Sequence, residues 1–560
     1  MSYRVTSALN ELDRRKTEYG DGAATRKLEL LRVCEKRRLT RARDVLRLHE
    51  TLCFLRAYPD NAAVLAQVER VLAGFDRRGD LRRHRAELVN SGIAGTAIHF
   101  SFFEPTAGWL ARLCGRFLTI DWGCFERHDK LEQMLPMLAL YCETPALDEF
   151  SFSIREWIER LKSPNEADAA FLMRRLGQLR MSSFMRETLF EDLEVPLILS
   201  PGPTTPARTR EKYEGAAIMF QSRPLNRSRP SIPDEAARPP LSIRMIPPRE
   251  GQYLIDLARS AMATRSRDLD AFAYGDKNDV RLVNCGEGLQ FAYIGVIPER
   301  RFLLETLYGF LMLKNGVPVG YGTNTSLFGS SEVAYTVFDS FRAGEAASMY
   351  GRVIGITRHM FGIDTFMIDP YQLGHENDDA LNTGAWWFYQ KLGFRPHEAD
   401  LLRIMRREIK RMKANPNHRS SITTLKKLAA TDVFLHLDKP RDDVLGVLPL
   451  ANVGLRIMQY LADRFGFDRR RALTTCSREA AKLLGVRSLR GFSAGQRLAW
   501  ERWSPLILIL PEVGRWRRQD KRELAAVARA KGGRQETEYL LRFDRHQRLR
   551  RAIRTLAESD

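Results

Sequence analysis

Cysteine is sparse in this chain, seven in 560 residues. Cys34, Cys53, Cys114, Cys124, Cys142, Cys285 and Cys476 are scattered and include no Cys-x-x-Cys. The tight pairing on which a disulfide scaffold or a structural zinc site depends is therefore missing. Cys124 and His128 stand four apart and can share a helix face, but two ligands do not make a zinc site, and no metal is expected. Long apolar runs are also missing. A stretch such as Pro505 to Pro511 falls far short of the roughly 18 residues a membrane span takes, so no membrane partner is expected. The first residues, MSYRVTSALNELDRRK, carry charge where a signal peptide has an apolar run. The expected location is cytoplasmic.

Acidic residues are in deficit. Against 89 Lys and Arg stand 69 Asp and Glu, a formal net charge of +20. Such a balance disfavours basic partners and favours anionic ones, whether nucleic acid, phosphates or an acidic carrier protein. The charge is densest from Arg403 to Lys413 and from Arg515 to Arg554. These basic helices read either as a surface tracking phosphates or as solvated faces whose arginine stems cover apolar surface. Glu408, Asp520, Glu523, Glu536 and Glu538 within the runs keep both readings open.

What is present is globular in kind, 44% apolar and 28% charged. The length exceeds the roughly 250–300 residues at which single cores stop growing. Texture divides it into four segments. Residues 1–200 read as a helical domain. Val45, Leu48, Leu52 and Leu55 form an amphipathic stripe, Pro59 stops it, and Asp60 can cap the next helix. Leu118 to Trp122 is left open as a short strand. Residues 201–240 are rich in proline, arginine and serine and read as a linker, too poor in apolar side chains to offset its ordering entropy. Residues 401–560 read as a basic helical domain. There Ser477 is expected to cap SREAAKLLG, which with the following VRSLRGFSAGQRLAW suggests a helix-turn-helix.

Residues 241–400 have mixed texture. LSIRMIP reads as a strand, and REGQYLIDLARSAMATR as a helix with Leu254, Leu257, Ala258 and Ala261 on one face. Three strands follow, TLYGFLMLK, VPVGYGTNTSLF and EVAYTVFDSF, the first two joined by the hairpin signal Asn315-Gly316. Then come the helix AASMYGRVIGITRHMFG, the strand TFMIDPY and the helix TGAWWFYQKLGF, which Gly393 ends. Asn382, Ala385 and Tyr389 are spaced to lie along one helix face. The expected class is α+β: a mixed, mainly antiparallel sheet flanked by helices, between all-helical N-terminal and C-terminal regions.

The order of these elements, with Asn382, Ala385, Tyr389, Gly393 and Phe394, resembles the GNAT (Gcn5-related N-acetyltransferase) superfamily over about 160 residues. The resemblance implies that the superfamily's fourth and fifth strands splay to admit an acyl-thioester arm. It also implies that a loop before the intervening helix offers N–H groups to the donor's pyrophosphate. That loop corresponds to Arg342, Ala343, Gly344, Glu345, Ala346 and Ala347, with Glu345 where the pattern has glycine. A carboxylate there competes with a phosphate and leaves room for a donor other than acyl-CoA, such as an aminoacyl-tRNA or a carrier-bound acyl group. Asn382 belongs to the same implied cofactor set. Tyr389 is the implied general acid, and Glu332, Asp339 or Glu345 the base for the acceptor amine. The loop His375, Glu376, Asn377, Asp378, Asp379 reads as a cation site or as a helix cap. After Phe394 the superfamily's closing strands give way to a basic helix, so either another part of the chain completes the sheet or the domain is degenerate. Two functions follow: an N-acyltransferase joining an activated acyl donor to an amine acceptor, or a non-catalytic scaffold or nucleic-acid-binding protein that keeps the fold.

Overall fold

The computed structural model describes residues 5–20, 22–342 and 344–558. Among them the strands form two sheets flanked by helices, a mixed α and β architecture. The smaller sheet joins β1 (Ile98–Phe100), β2 (Leu118–Ile120) and β3 (Leu197–Leu199) in the antiparallel order β1-β3-β2. The larger contains β4 (Ser242–Met245), β5 (Gly275–Gly286), β6 (Leu289–Val296), β7 (Thr306–Lys314), β8 (Val317–Leu327), β9 (Ser330–Val337), β10 (Thr365–Ile368) and β11 (Val433–His436). They lie side by side in chain order. β4 to β9 form an antiparallel meander, β10 joins β9 in parallel, and β11 closes the edge antiparallel to β10.

Tight turns set the registers. Asn315 and Gly316 adopt φ of 50° and 78° between Lys314 and Val317, which pair across the hairpin. Positive φ at both positions matches the twist of the flanking strands, and Asn-Gly adopts it at low cost. Glu287-Gly288 makes the same turn between β5 and β6, with φ of 50° and 72°.

The meander has two strands more than the sequence reading placed. β5, GDKNDVRLVNCG, is charged enough to read as loop, yet its Asp279 and Arg281 are buried. Asp279 accepts hydrogen bonds from the Tyr308 hydroxyl (2.6 Å) and the Glu536 amide (3.0 Å), and Arg281 donates to the Thr537 hydroxyl (2.6 Å). Those partners lie far away in the chain, so no local pattern announces them.

Among the described residues three apolar cores divide the chain differently from its texture. One surrounds the large sheet and takes in Ala8 to Ile93 before it and Met405, Leu425 and Leu428 after residue 400. A second holds residues 98–199 around the small sheet, so the N-terminal region is not all-helical. The alternation of buried Leu118 and Ile120, and of Leu197 and Leu199, is what forms its strands. A third unites Phe328, Met367 and Phe434 with the C-terminal helices. The C-terminal region is not all-helical either, since it supplies β11.

The expected linker, residues 201–240, is a strap. Ala207, Tyr213, Leu225, Ile232 and Ala236 are buried, and the Tyr213 amide donates to the Gly316 carbonyl (2.8 Å). Its helix Ile232–Ala237 lies on the helix Ala346–Phe361, where Arg352 pairs with Glu235 at 2.9 Å. A few well-seated apolar groups and backbone hydrogen bonds outweigh the ordering cost that composition alone suggests. In the C-terminal part the helix Arg469–Leu484 is capped by Asp468, which leaves Ser477 in its interior rather than at its start.

Candidate functional site

β9 and β10 pair only at Thr365–Ser330, Phe366–Ser331 and Met367–Glu332. β9 continues to Val337 paired with β8. β10 stops at Ile368 because Pro370 follows, and Asp369 caps the helix Pro370–Leu373 through the Tyr371 amide (2.8 Å). The two parallel strands thus separate immediately after Glu332. Beyond that point the Tyr335 amide donates to the Gln372 side chain (3.4 Å), so Gln372 spans the opening.

Successive residues of β9 face opposite sides. Ser331, Val333 and Tyr335 face the helix Ala346–Phe361, where the Tyr335 hydroxyl donates to the Ala346 carbonyl (2.7 Å). Glu332 faces the other side with Asp369 and Asp432. Burial first, then the Asp369 and Asp432 carboxylates, pushes Glu332 up to about 7. Asp432 is pushed up to about 6, by burial and then by Asp369 and Glu398. Asp432 reaches this place because β11 docks on β10, with Val433 opposite Ile368. Gly446 covers the group: a Cβ there would lie 2.7 Å from an Asp432 oxygen. Among the described residues no three His, Cys, Asp or Glu side chains form a metal-holding group. The chemistry open to the cluster is to attract a cation and to exchange a proton near neutral pH.

On the opposite side, Tyr335, Tyr350 and Tyr389 form an aromatic wall. Tyr350 meets Tyr335 edge-on at 5.1 Å and Tyr389 at 5.6 Å. Among the described residues the buried Tyr350 hydroxyl has no hydrogen-bond partner. Tyr389 is 4% exposed and also packs on Phe388 and Phe394, and burial pushes its hydroxyl above the usual tyrosine range. It belongs to the core rather than to the mouth of a cleft. Asn382 does not share its helix. The chain breaks at Gly384 (φ 67°) into the helices Asp378–Thr383 and Ala385–Leu392, and Asn382 is exposed on the first. A residue in the left-handed conformation ends one helix and starts the next, which rotates the two faces apart.

The loop matched to phosphate binding holds an internal ion pair. Glu345 stands at the N-terminus of the helix Ala346–Phe361 and pairs with Lys314 at 3.0 Å. Lys314 is 2% exposed, with its ammonium over the Tyr58 ring (5.0 Å). Glu345 also accepts the Asn226 amide of the strap (3.3 Å). A Cβ at Gly344 would stand 2.9 Å from the Tyr58 hydroxyl, so the N-terminal helices close over this end. Ala346 gives its carbonyl to Tyr335, and Ala347 is half-buried. Arg342 and Asp339 are exposed and pair with each other (2.7 Å), away from the strand opening. Ala343 lies outside the described residues.

Of the residues singled out in the sequence, only Glu332 sits in the acidic cluster. Asp369, Gln372 and Asp432 were missed as a group. A usable signal was VFLH after Asp432, an apolar run of strand length inside a region read as helical. In the loop His375 to Asp379, Asn377 accepts the Ala380 amide (3.1 Å) and so caps the following helix. Comparison of the chain with protein-family models, curated proteins and solved structures found no match.

Proposed function

We propose that this protein is an N-acyltransferase with a GNAT-like core, in which Glu332 receives and deprotonates a cationic amine acceptor. The observation that carries this reading is a carboxyl held near neutrality where two parallel strands part. The hairpin at Asn315-Gly316 and the helix between β9 and β10 support the same architecture.

The chemistry is acyl transfer. The Glu332 carboxylate takes a proton from the acceptor ammonium. The freed amine attacks the donor's acyl carbon, an amide C–N bond forms, the acyl bond to sulfur or oxygen breaks, and the amine's second proton passes to the departing thiolate or alkoxide, which leaves as thiol or alcohol. Asp369 and Asp432 draw the cation in and keep Glu332 basic enough for the task. The Glu345–Lys314 pair occupies the helix end at which acyl-CoA would lay its pyrophosphate. The reading therefore favours a donor anchored elsewhere, such as an acyl group on a carrier protein or on tRNA.

The test is transfer of labelled acyl groups from acyl-CoA, acyl-carrier and aminoacyl-tRNA donors to lysine-type and polyamine acceptors. The rate should rise with pH through about 7. Glu332→Gln should lower it by about a hundredfold or more while the chain stays folded. A non-catalytic scaffold is the second reading, favoured by the burial of Tyr389 and the closed Glu345–Lys314 site. Absence of transfer from every donor, in protein shown to be folded, decides for the scaffold.

A further inference from the structure

Among the described residues, the helix Arg469–Leu484 carries five basic side chains without an ion pair, Arg469, Arg470, Arg471, Arg478 and Lys482, and the helix Ala399–Ala414 carries Arg406, Arg407, Lys410 and Lys413. In the basic runs that stand out in sequence, much of the charge is neutralised. Arg403 pairs with Asp400, Arg411 with Glu408, Arg548 with Asp520, Arg550 with Asp443 and Arg554 with Asp442. Between residues 469 and 497, eight basic side chains face a single acid, Glu479. That acid is engaged by Arg464 of the preceding helix, Ala451–Phe465, in two hydrogen bonds of 2.6 Å. Asp468, just ahead of this segment, is engaged as the cap of the helix Arg469–Leu484 through the Arg471 amide (3.0 Å).

The helix Arg469–Leu484 presents this charge in order. Ala472, Cys476, Ala480 and Leu484 are buried, and Trp500 holds the helix by donating to the Ser477 carbonyl (3.3 Å). On the other side Arg471, Arg478 and Lys482 are exposed, and their spacings of seven and four keep them on one face. Among the described residues none of the three forms an ion pair. Arg469, Arg470 and Arg471 also crowd the first helical turn, where the helix dipole disfavours cations and the Asp468 cap is the one acid beside three arginines among the described residues. A bound anion at this end would offset the remaining positive charge.

We infer that the exposed face of Arg469–Leu484 binds double-stranded nucleic acid through its phosphates. From Arg471 to Lys482 the stripe is about 16 Å long at 1.5 Å per residue, enough to reach across a major groove roughly 12 Å wide to phosphates on both sides. A rigid row of cations suits the regular phosphates of a duplex better than a flexible single strand. This surface is separate from the acidic cluster at Glu332, and its test does not depend on any acyltransferase activity.

The experiment is titration of full-length protein with a fluorescent 24-base-pair DNA duplex of arbitrary sequence at several salt concentrations. Three phosphate contacts give a log–log salt slope of about −2.7, or about a fortyfold loss of affinity between 50 and 200 mM salt. The triple variant Arg471→Gln, Arg478→Gln, Lys482→Gln should remove most of that slope. The control triple Arg406→Gln, Lys410→Gln, Lys413→Gln on the helix Ala399–Ala414 removes the same charge from another exposed face and should leave binding near its original strength. Circular dichroism confirms that both variants are folded. The inference is overturned by absence of duplex binding at 50 mM salt, by equal losses in the two variants, or by tighter binding of a single strand of the same length.

Discussion

Glu332 shows how a single side chain couples this fold to pH. Its carboxyl binds a proton more tightly in the folded chain than in the unfolded one, about 7 against 4.5. Its contribution to stability is therefore fully present below about pH 4.5 and is lost as pH rises through about 7. Glu332→Gln cannot ionise, so at about pH 8 it should be more stable than the wild type, by at most about 3 kcal/mol at 1.36 kcal/mol per pH unit. The gain should vanish near pH 4.5. Thermal unfolding of both proteins at the two pH values checks this, and an equal gain at both would mean that ionisation of Glu332 is not what strains the site. Glu345 shows the opposite arrangement. Its charge is matched by Lys314, so the fold has made internal what a phosphate-binding loop leaves open.

At the scale of elements, the β7–β8 hairpin does more than reverse the chain. Asn315 is 1% exposed. Its side-chain amide donates to the carbonyls of Ala57 (2.9 Å) and Met219 (3.0 Å), and its oxygen accepts the Met219 amide (2.8 Å). One turn thus ties the sheet to the helix Ala42–Ala57 and to the strap. Asn315→Ala keeps the turn short but places an alanine at φ 50° and removes the partner of the buried Ala57 carbonyl and of two part-buried backbone groups of Met219. Urea unfolding should show a loss of about 3 kcal/mol or more. A loss under about 1 kcal/mol would mean that water replaces these bonds and that the strap is not anchored here.

At the scale of the whole molecule, the N-terminal helices are part of the sheet's own core. Phe54 stacks on Phe341 at 6.4 Å, and Tyr58 lies against both Lys314 and Gly344. Removal of residues 1–93 should therefore leave a chain that binds a hydrophobic dye and loses its cooperative transition. An unchanged transition in the truncated chain would show that the sheet region folds on its own, as the texture of residues 241–400 suggests.

Local chemistry sufficed for much of this architecture. The Asn-Gly turn, the stripe Leu254, Leu257, Ala258 and Ala261, the helix end at Gly393 and the strands β4 and β7 to β10 follow from backbone preference and from periods of two and 3.6. Those signals act between neighbours in sequence. Tertiary structure alone decided that Asp279 and Arg281 lie in a strand, that β11 closes the sheet, that the proline-rich segment is a strap, and that Asp369 and Asp432 stand beside Glu332. Each depends on a partner more than thirty residues away, and the energy of burying a charge or ordering a loop is set by that partner rather than by the residues beside it. The same holds for charge. The sequence determines that the chain carries a net +20, but only folding determines which cations meet an acid and which, as on the helix Arg469–Leu484, remain free to meet a phosphate.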